Sequence, residues 1–96
     1  MHTRENILRL LGQHGKELKD RFSVLKIGLF GSYVRDAAYP ASDIDLLVEF
    51  SSPTFDNYMD LKFYLEELLQ TPVDLVMADV LKPRLVPYVT KEVIYA

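Results

Sequence analysis

Three short apolar runs, spaced unevenly along the chain, do most to restrict what it can fold into. They are Val24–Phe30 (VLKIGLF), Ile44–Phe50 (IDLLVEF) and Val73–Met77 (VDLVM). Each is too short for a buried helix and is partly β-branched, so each reads as a buried strand. Between the second and third lies a stretch from Thr54 or Asp56 to Gln70. Its Phe55, Tyr58, Leu61, Leu65, Leu68 and Leu69 form a helical stripe. A helix of that length is a crossover, so strands two and three should run parallel, with a right-handed connection. Strands one and two are joined by a brief excursion and should run antiparallel. The expected fold class is α+β, a small mixed sheet packed with helices.

The flanks fill in the rest. Thr3 can cap a first helix to about Lys19, with Ile7, Leu8, Leu11 and Leu18 near one face, although Gly12 and Gly15 weaken it. Tyr33–Ala38 reads as a short helical piece stopped by Pro40. Pro83 suits the first turn of a last helix to about Lys91, bent at Pro87, and Val93–Tyr95 can add an edge strand. Leu81, Leu85, Val86 and Val89 are assigned to the core, and most of Tyr33, Tyr39, Tyr58, Tyr64, Tyr88 and Tyr95 to packing. With 96 residues and 49% hydrophobic content, residues 1–96 read as one domain with a small core.

This topology gathers chemistry at one edge of the sheet. The end of the first strand, Gly31-Ser32, falls beside the start of the second, with Asp43 and Asp45, and the parallel third strand brings Asp74 to the same end. Asp43 and Asp45 are two residues apart, so strand alternation sends both carboxylates to one face. Carboxylates held that close repel, and burial among Ile44, Leu46, Leu47 and Val48 is costly without a counter-charge. Mg2+, a hard oxygen-seeking cation, is the natural partner, and three carboxylates suit two such ions. The plainer alternative for an Asp-x-Asp pair is a turn or a solvated edge. Backbone N–H groups at Gly31-Ser32, the serine hydroxyl and Arg35 suit phosphate oxygens. The alternatives there are a simple strand-ending turn, and an arginine that is solvated or paired with Asp36.

Charge narrows the partners. A net charge of −3 lacks the basic excess of a nucleic-acid binder, so direct nucleic-acid binding is not expected. Lys82, Arg84 and Lys91 make only a mild basic patch, read as a solvated helix face. Without cysteines there are no disulfides or thiolate metal sites, and without a long apolar run there is no membrane span; a cytoplasmic location is expected. His2 and His14 lack metal-ligand spacing and read as surface residues.

The string GSYVRDAAYPASDIDLLVEF, from Gly31 to Phe50, together with the later PVDLV from Pro72 to Val76, resembles the minimal nucleotidyltransferase (MNT) proteins. These belong to the superfamily that includes DNA polymerase beta, and the resemblance covers nearly the whole chain. It implies a polymerase beta-like palm in which Gly31 and Ser32 hold a triphosphate. Asp43 and Asp45 would bind metal, and Asp74 would be the third carboxylate, helping to deprotonate the acceptor. Arg35 matches a position often basic in the family, and Asp36 is a departure, standing where many relatives have glycine. Many MNT proteins look like antitoxins paired with a HEPN-domain ribonuclease toxin, moving AMP from ATP to a toxin tyrosine. The resemblance therefore implies a protein adenylyltransferase using ATP and two Mg2+ ions. Two other readings stand beside it: an antitoxin that neutralises by contact alone, and a nucleotidyltransferase acting on RNA or a small molecule.

Overall fold

The structure is a computed structural model; residues 2–35, 42–81 and 83–96 are described. The first helical region is two helices, α1 (Arg4–Gln13) and α2 (Gly15–Phe22), and not the single helix that the apolar spacing suggests. The break falls at His14, between Gly12 and Gly15, where the glycines' backbone freedom lowers the cost of leaving the helical path. Thr3 caps α1 through its hydroxyl, which accepts from the Asn6 amide at 3.1 Å.

Strands β1 (Val24–Phe30), β2 (Ile44–Phe50) and β3 (Val73–Met77) fall where the apolar runs place them. A fourth, β4 (Ile94–Tyr95), adds the expected edge. The order is β3-β2-β1-β4, with β1 antiparallel to both β2 and β4 and β2 parallel to β3. Helix α3 (Phe55–Leu69) makes the crossover, and Thr54 caps it by accepting from the Asn57 amide at 3.1 Å. One face of the sheet, with Ile44, Leu46, Val48 and Phe50 of β2 and Val73 and Leu75 of β3, packs on Ile7, Leu11, Leu18, Phe22, Leu61, Leu65 and Leu69 of the three helices. Burying large side chains of this kind contributes about 1.5–3 kcal/mol each.

Several expectations are corrected at the ends of elements. The chain after β1 enters a 3₁₀ turn at Gly31–Tyr33 and leaves it by Val34, so the helical piece does not begin at Tyr33; Asp36, Ala37, Ala38, Tyr39 and Pro40 lie outside the described residues. The last helix, α4 (Val86–Glu92), starts later than Pro83, so Pro87 sits in its first turn and not in its interior. A proline lacks an N–H that this position does not use, so it fits there. Leu85, Val86 and Tyr88 are exposed, not core, because α4 lies outside the layer built by α1, α2 and α3. Arg84 and Lys91 are exposed, as a solvated face requires, and Lys82 lies outside the described residues. No helix among the described residues is long and apolar enough to cross a membrane.

Both histidines are more engaged than plain surface residues. His2 bonds to Asn6 and to the Leu69 carbonyl, and His14 shares a 2.9 Å hydrogen bond with the Tyr64 hydroxyl. The Tyr64 hydroxyl also donates to Glu17 at 3.0 Å, so these groups pin α1 and α2 to α3.

Candidate active site

The register of the sheet decides where the acids meet. Asp45 is the direct cross-strand partner of Asp74 in the parallel pair and of Phe30 in the antiparallel pair. Direct partners in a ladder point to the same face, so both carboxylates leave the face opposite the helical core. Asp43, just before β2, is exposed, Asp74 is exposed and Asp45 is half-buried. The three predicted acids are therefore neighbours: the negative charges of Asp74 and Asp43 both act on Asp45.

Their mutual cost shows in the Asp45 carboxyl. Its pKa rises from 3.8 to about 6, first because it is partly withdrawn from water, then because Asp74 and Asp43 repel its charge. In its protonated form it also hydrogen-bonds Asp74, and the Arg35 guanidinium pulls in the opposite direction. This cluster is short of positive charge. Among the described residues no three acidic or histidine side chains close into a ready-made cation cage. The chemistry of the donor set, carboxylate oxygens with no nitrogen or sulfur among them, fits a hard divalent ion such as Mg2+.

The Gly31-Ser32 turn is locked to this cluster. Gly31 has φ +78°, in the left-handed region that glycine tolerates. A Cβ there would fall 2.0 Å from Oδ2 of Asp45, so glycine is needed for the backbone and for the carboxylate beside it. The Gly31 carbonyl accepts from the Val34 amide at 3.1 Å and the Arg35 amide at 3.2 Å, closing the turn. From α1, Nη1 of Arg4 donates to the Val34 carbonyl at 3.0 Å and fixes the turn's far end. Ser32 is half-buried in the turn, and Arg35 is exposed beside the carboxylates.

One residue at the site is absent from the sequence reading. Glu92, the last residue of α4, accepts from the Gly31 amide at 2.9 Å and from Nη1 of Arg35 at 3.0 and 3.2 Å. Arg35, for which the sequence offers Asp36 as a partner, pairs with Glu92, and Asp36 itself lies outside the described residues. No local motif announces it; it becomes visible only once β4 is paired antiparallel to β1.

Comparison with known proteins fits this geometry. Residues 11–96 match the nucleotidyltransferase domain family model. The chain is 47% identical over 96 residues to the protein adenylyltransferase MntA of Thermococcus cleftensis, covering 99% of this chain and 97% of that one. A solved structure described as a minimal nucleotidyltransferase superposes with a TM-score of 0.80 at 36% identity, over 97% of this chain and 95% of the other. The fold is also shared with a Shewanella oneidensis complex of an MNT antitoxin with a tri-AMPylated HEPN toxin: TM-score 0.64, 23% identity, over 92% of this chain and 70% of that one.

Proposed function

This chain belongs to the nucleotidyltransferase domain family and is a nucleotidyltransferase, and on that premise we propose that it acts as an antitoxin by transferring AMP from ATP to a tyrosine hydroxyl of a partner HEPN-domain ribonuclease toxin. The observation that carries this reading is the cross-strand pair Asp45–Asp74 with Asp43 beside it, facing the Gly31-Ser32 turn. Two likenesses support the choice of a protein acceptor: one relative is a protein adenylyltransferase, and a protein of the same fold is bound to an AMP-modified toxin.

In the reaction the tyrosine oxygen bonds to the α-phosphorus of ATP, the bond from that phosphorus to the β-phosphate oxygen breaks, and pyrophosphate leaves. Asp43, Asp45 and Asp74 would hold Mg2+, two ions in this reading, which neutralise phosphate charge and lower the proton affinity of the bound hydroxyl. The side chains do the remaining work. The Ser32 hydroxyl and the Ser32 amide hold the β- and γ-phosphates, the Gly31 amide being engaged by Glu92, and the Arg35 guanidinium neutralises them. The Asp74 carboxylate, exposed at the rim, takes the proton from the acceptor hydroxyl. In-line attack needs the two oxygens on opposite sides of the phosphorus, so Asp74 and the turn, on either side of Asp45, face the two ends of the reacting group.

The test is to mix the chain with ATP, Mg2+ and its cognate toxin and read the toxin by mass spectrometry. One or more AMP additions at tyrosine are expected; an unmodified but silenced toxin would show that contact suffices. The doubly substituted Asp43→Asn/Asp45→Asn chain should lose both modification and protection of cells. Full protection by that variant would overturn the catalytic reading.

A further inference from the structure

Glu92 stands outside the motif that carries the family resemblance, yet its carboxylate touches both ends of the turn that faces the acids. Its Oε1 accepts from the amide of Gly31, where the turn begins, and both its oxygens accept from Nη1 of Arg35, four residues on. The Glu92 side chain is only 25% exposed, whereas that of Arg35 is 58% exposed. The acid is thus the anchored member of the pair and the arginine the member that reaches outward.

Backbone pairing delivers the carboxylate there. In the β1–β4 ladder Gly28 faces Tyr95 and Leu29 faces Ile94. Continuing that antiparallel register back along the chain sets Glu92 opposite Gly31. Gly28 makes the close approach possible, since a Cβ on it would fall 2.6 Å from Cγ2 of Val93 and 3.1 Å from the Ile94 carbonyl oxygen. The last strand is therefore seated by the sheet, and Glu92 is held by the register as well as by its own flexible stem.

We propose that Glu92 is a positioning residue for the nucleotide, holding the Gly31-Ser32 turn and the Arg35 guanidinium in the arrangement that receives the triphosphate. The proposal rests on the AMP-transfer reading above. A charged acceptor on a backbone amide makes a stronger hydrogen bond than a neutral one. Fixing an arginine by one nitrogen reduces the rotamer freedom that would otherwise be lost when phosphate binds. The same carboxylate carries a negative charge toward a polyanion. A charge that merely blocked the site would therefore give the opposite result on removal, tighter nucleotide binding, and the sign of the effect separates the two.

The experiment uses the full chain with its toxin, and titrates Mg2+ with a non-hydrolysable ATP analogue. Glu92→Ala should weaken analogue binding and raise KM for ATP by about tenfold or more, with kcat changed far less, because the carboxylate touches no reacting atom. Glu92→Gln, which keeps an oxygen for the Gly31 amide, should recover part of the loss. In an Arg35→Ala background Glu92→Ala should cost clearly less than it does alone, because the part of its effect that runs through Arg35 is already gone, leaving only the part carried by the Gly31 amide. Unchanged or tighter analogue binding by Glu92→Ala overturns the proposal, as does a loss fully additive with Arg35→Ala. If Glu92→Ala does not fold, Glu92→Gln and Arg35→Ala carry the same test through their separate and combined effects on KM. If the unsubstituted chain binds the analogue but leaves the toxin unmodified, the AMP-transfer reading fails while the positioning role is still decided by binding.

Discussion

Strand β2 has two faces of opposite character, and comparing them shows how one short strand serves both the core and the candidate active site. Ile44, Leu46, Val48 and Phe50 point into the helical layer and are buried with Leu61, Leu65 and Leu69 of α3. One residue along, Asp45 points the other way, toward Asp74 on β3 and the Gly31 turn. The alternation of a strand separates the two faces by a single peptide unit. The core face can therefore be packed for stability while the acid face keeps its unfavourable charges together, with Asp45 pushed up to a pKa of about 6. Core packing and the acid cluster are thus adjacent in sequence but carried by opposite faces of one strand.

Asp45→Asn should give the largest separation. Removing one carboxylate from the cluster should lower AMP transfer at least about a hundredfold, the scale for losing a key electrostatic group. The thermal midpoint should stay level or rise, because a repelled charge has gone. Mass spectrometry of the toxin and a melting curve on the same sample check both halves. A variant that melts well below the parent would break the comparison, showing that the acid face also holds up the fold.

Leu46→Ala is the mirror experiment on the core face. Leu46 is fully buried, so truncation should cost about 2–5 kcal/mol, read by urea unfolding. AMP transfer per folded molecule should remain near that of the parent. If transfer falls as steeply as in Asp45→Asn while the chain is still folded, the faces are coupled through the strand.

How much of this the sequence disclosed divides along the same line. The three main strands and their directions were readable because apolar runs and connection length are local signals. Asp43, Asp45 and Asp74 were readable as one group because alternation and parallel pairing follow from those directions. Glu92 was not readable, because its position depends on β4 pairing with β1, a contact spanning most of the chain. The break at His14 and the late start of α4 are not legible in the sequence for a related reason: glycine and proline preferences mark where a helix weakens, while packing decides where it stops. The exposure of Leu85, Val86 and Tyr88 could not be read from apolarity alone, since α4 has no helical partner in the core cluster.

Gly31→Ala probes the seam between the faces. The backbone there sits at φ +78°, and the added methyl would meet the Asp45 carboxylate. The left-handed conformation alone costs an L-residue about 1–2 kcal/mol, so a modest loss of stability is expected. The loss of AMP transfer should exceed what that instability explains, because relief of the clash must move either the turn or Asp45. Transfer that falls only in step with the folded fraction would show that the turn tolerates a shift without disturbing the acids.

The smallest effect is also the one that isolates the acid face from the core. Asp45 binds its proton more tightly when folded, with a pKa of about 6, than at its ordinary value of 3.8. Folding is therefore favoured by this group at low pH, and that contribution is lost as pH rises through the interval from 3.8 to about 6. Asp45 keeps part of its contact with water, which screens the effect and keeps it modest. Mg2+ binding to the ionised acids should act in reverse, raising the thermal midpoint more above pH 6 than at pH 5. Melting curves with Mg2+ and with a chelator, taken across that range, should diverge as pH increases, and Asp45→Asn should draw them together. Leu46→Ala should lower both curves without changing the gap between them, because it removes packing and leaves the charges where they were. A gap that closes in Leu46→Ala would mean that core packing sets the spacing of the acids, and the two faces would then have to be treated as one unit.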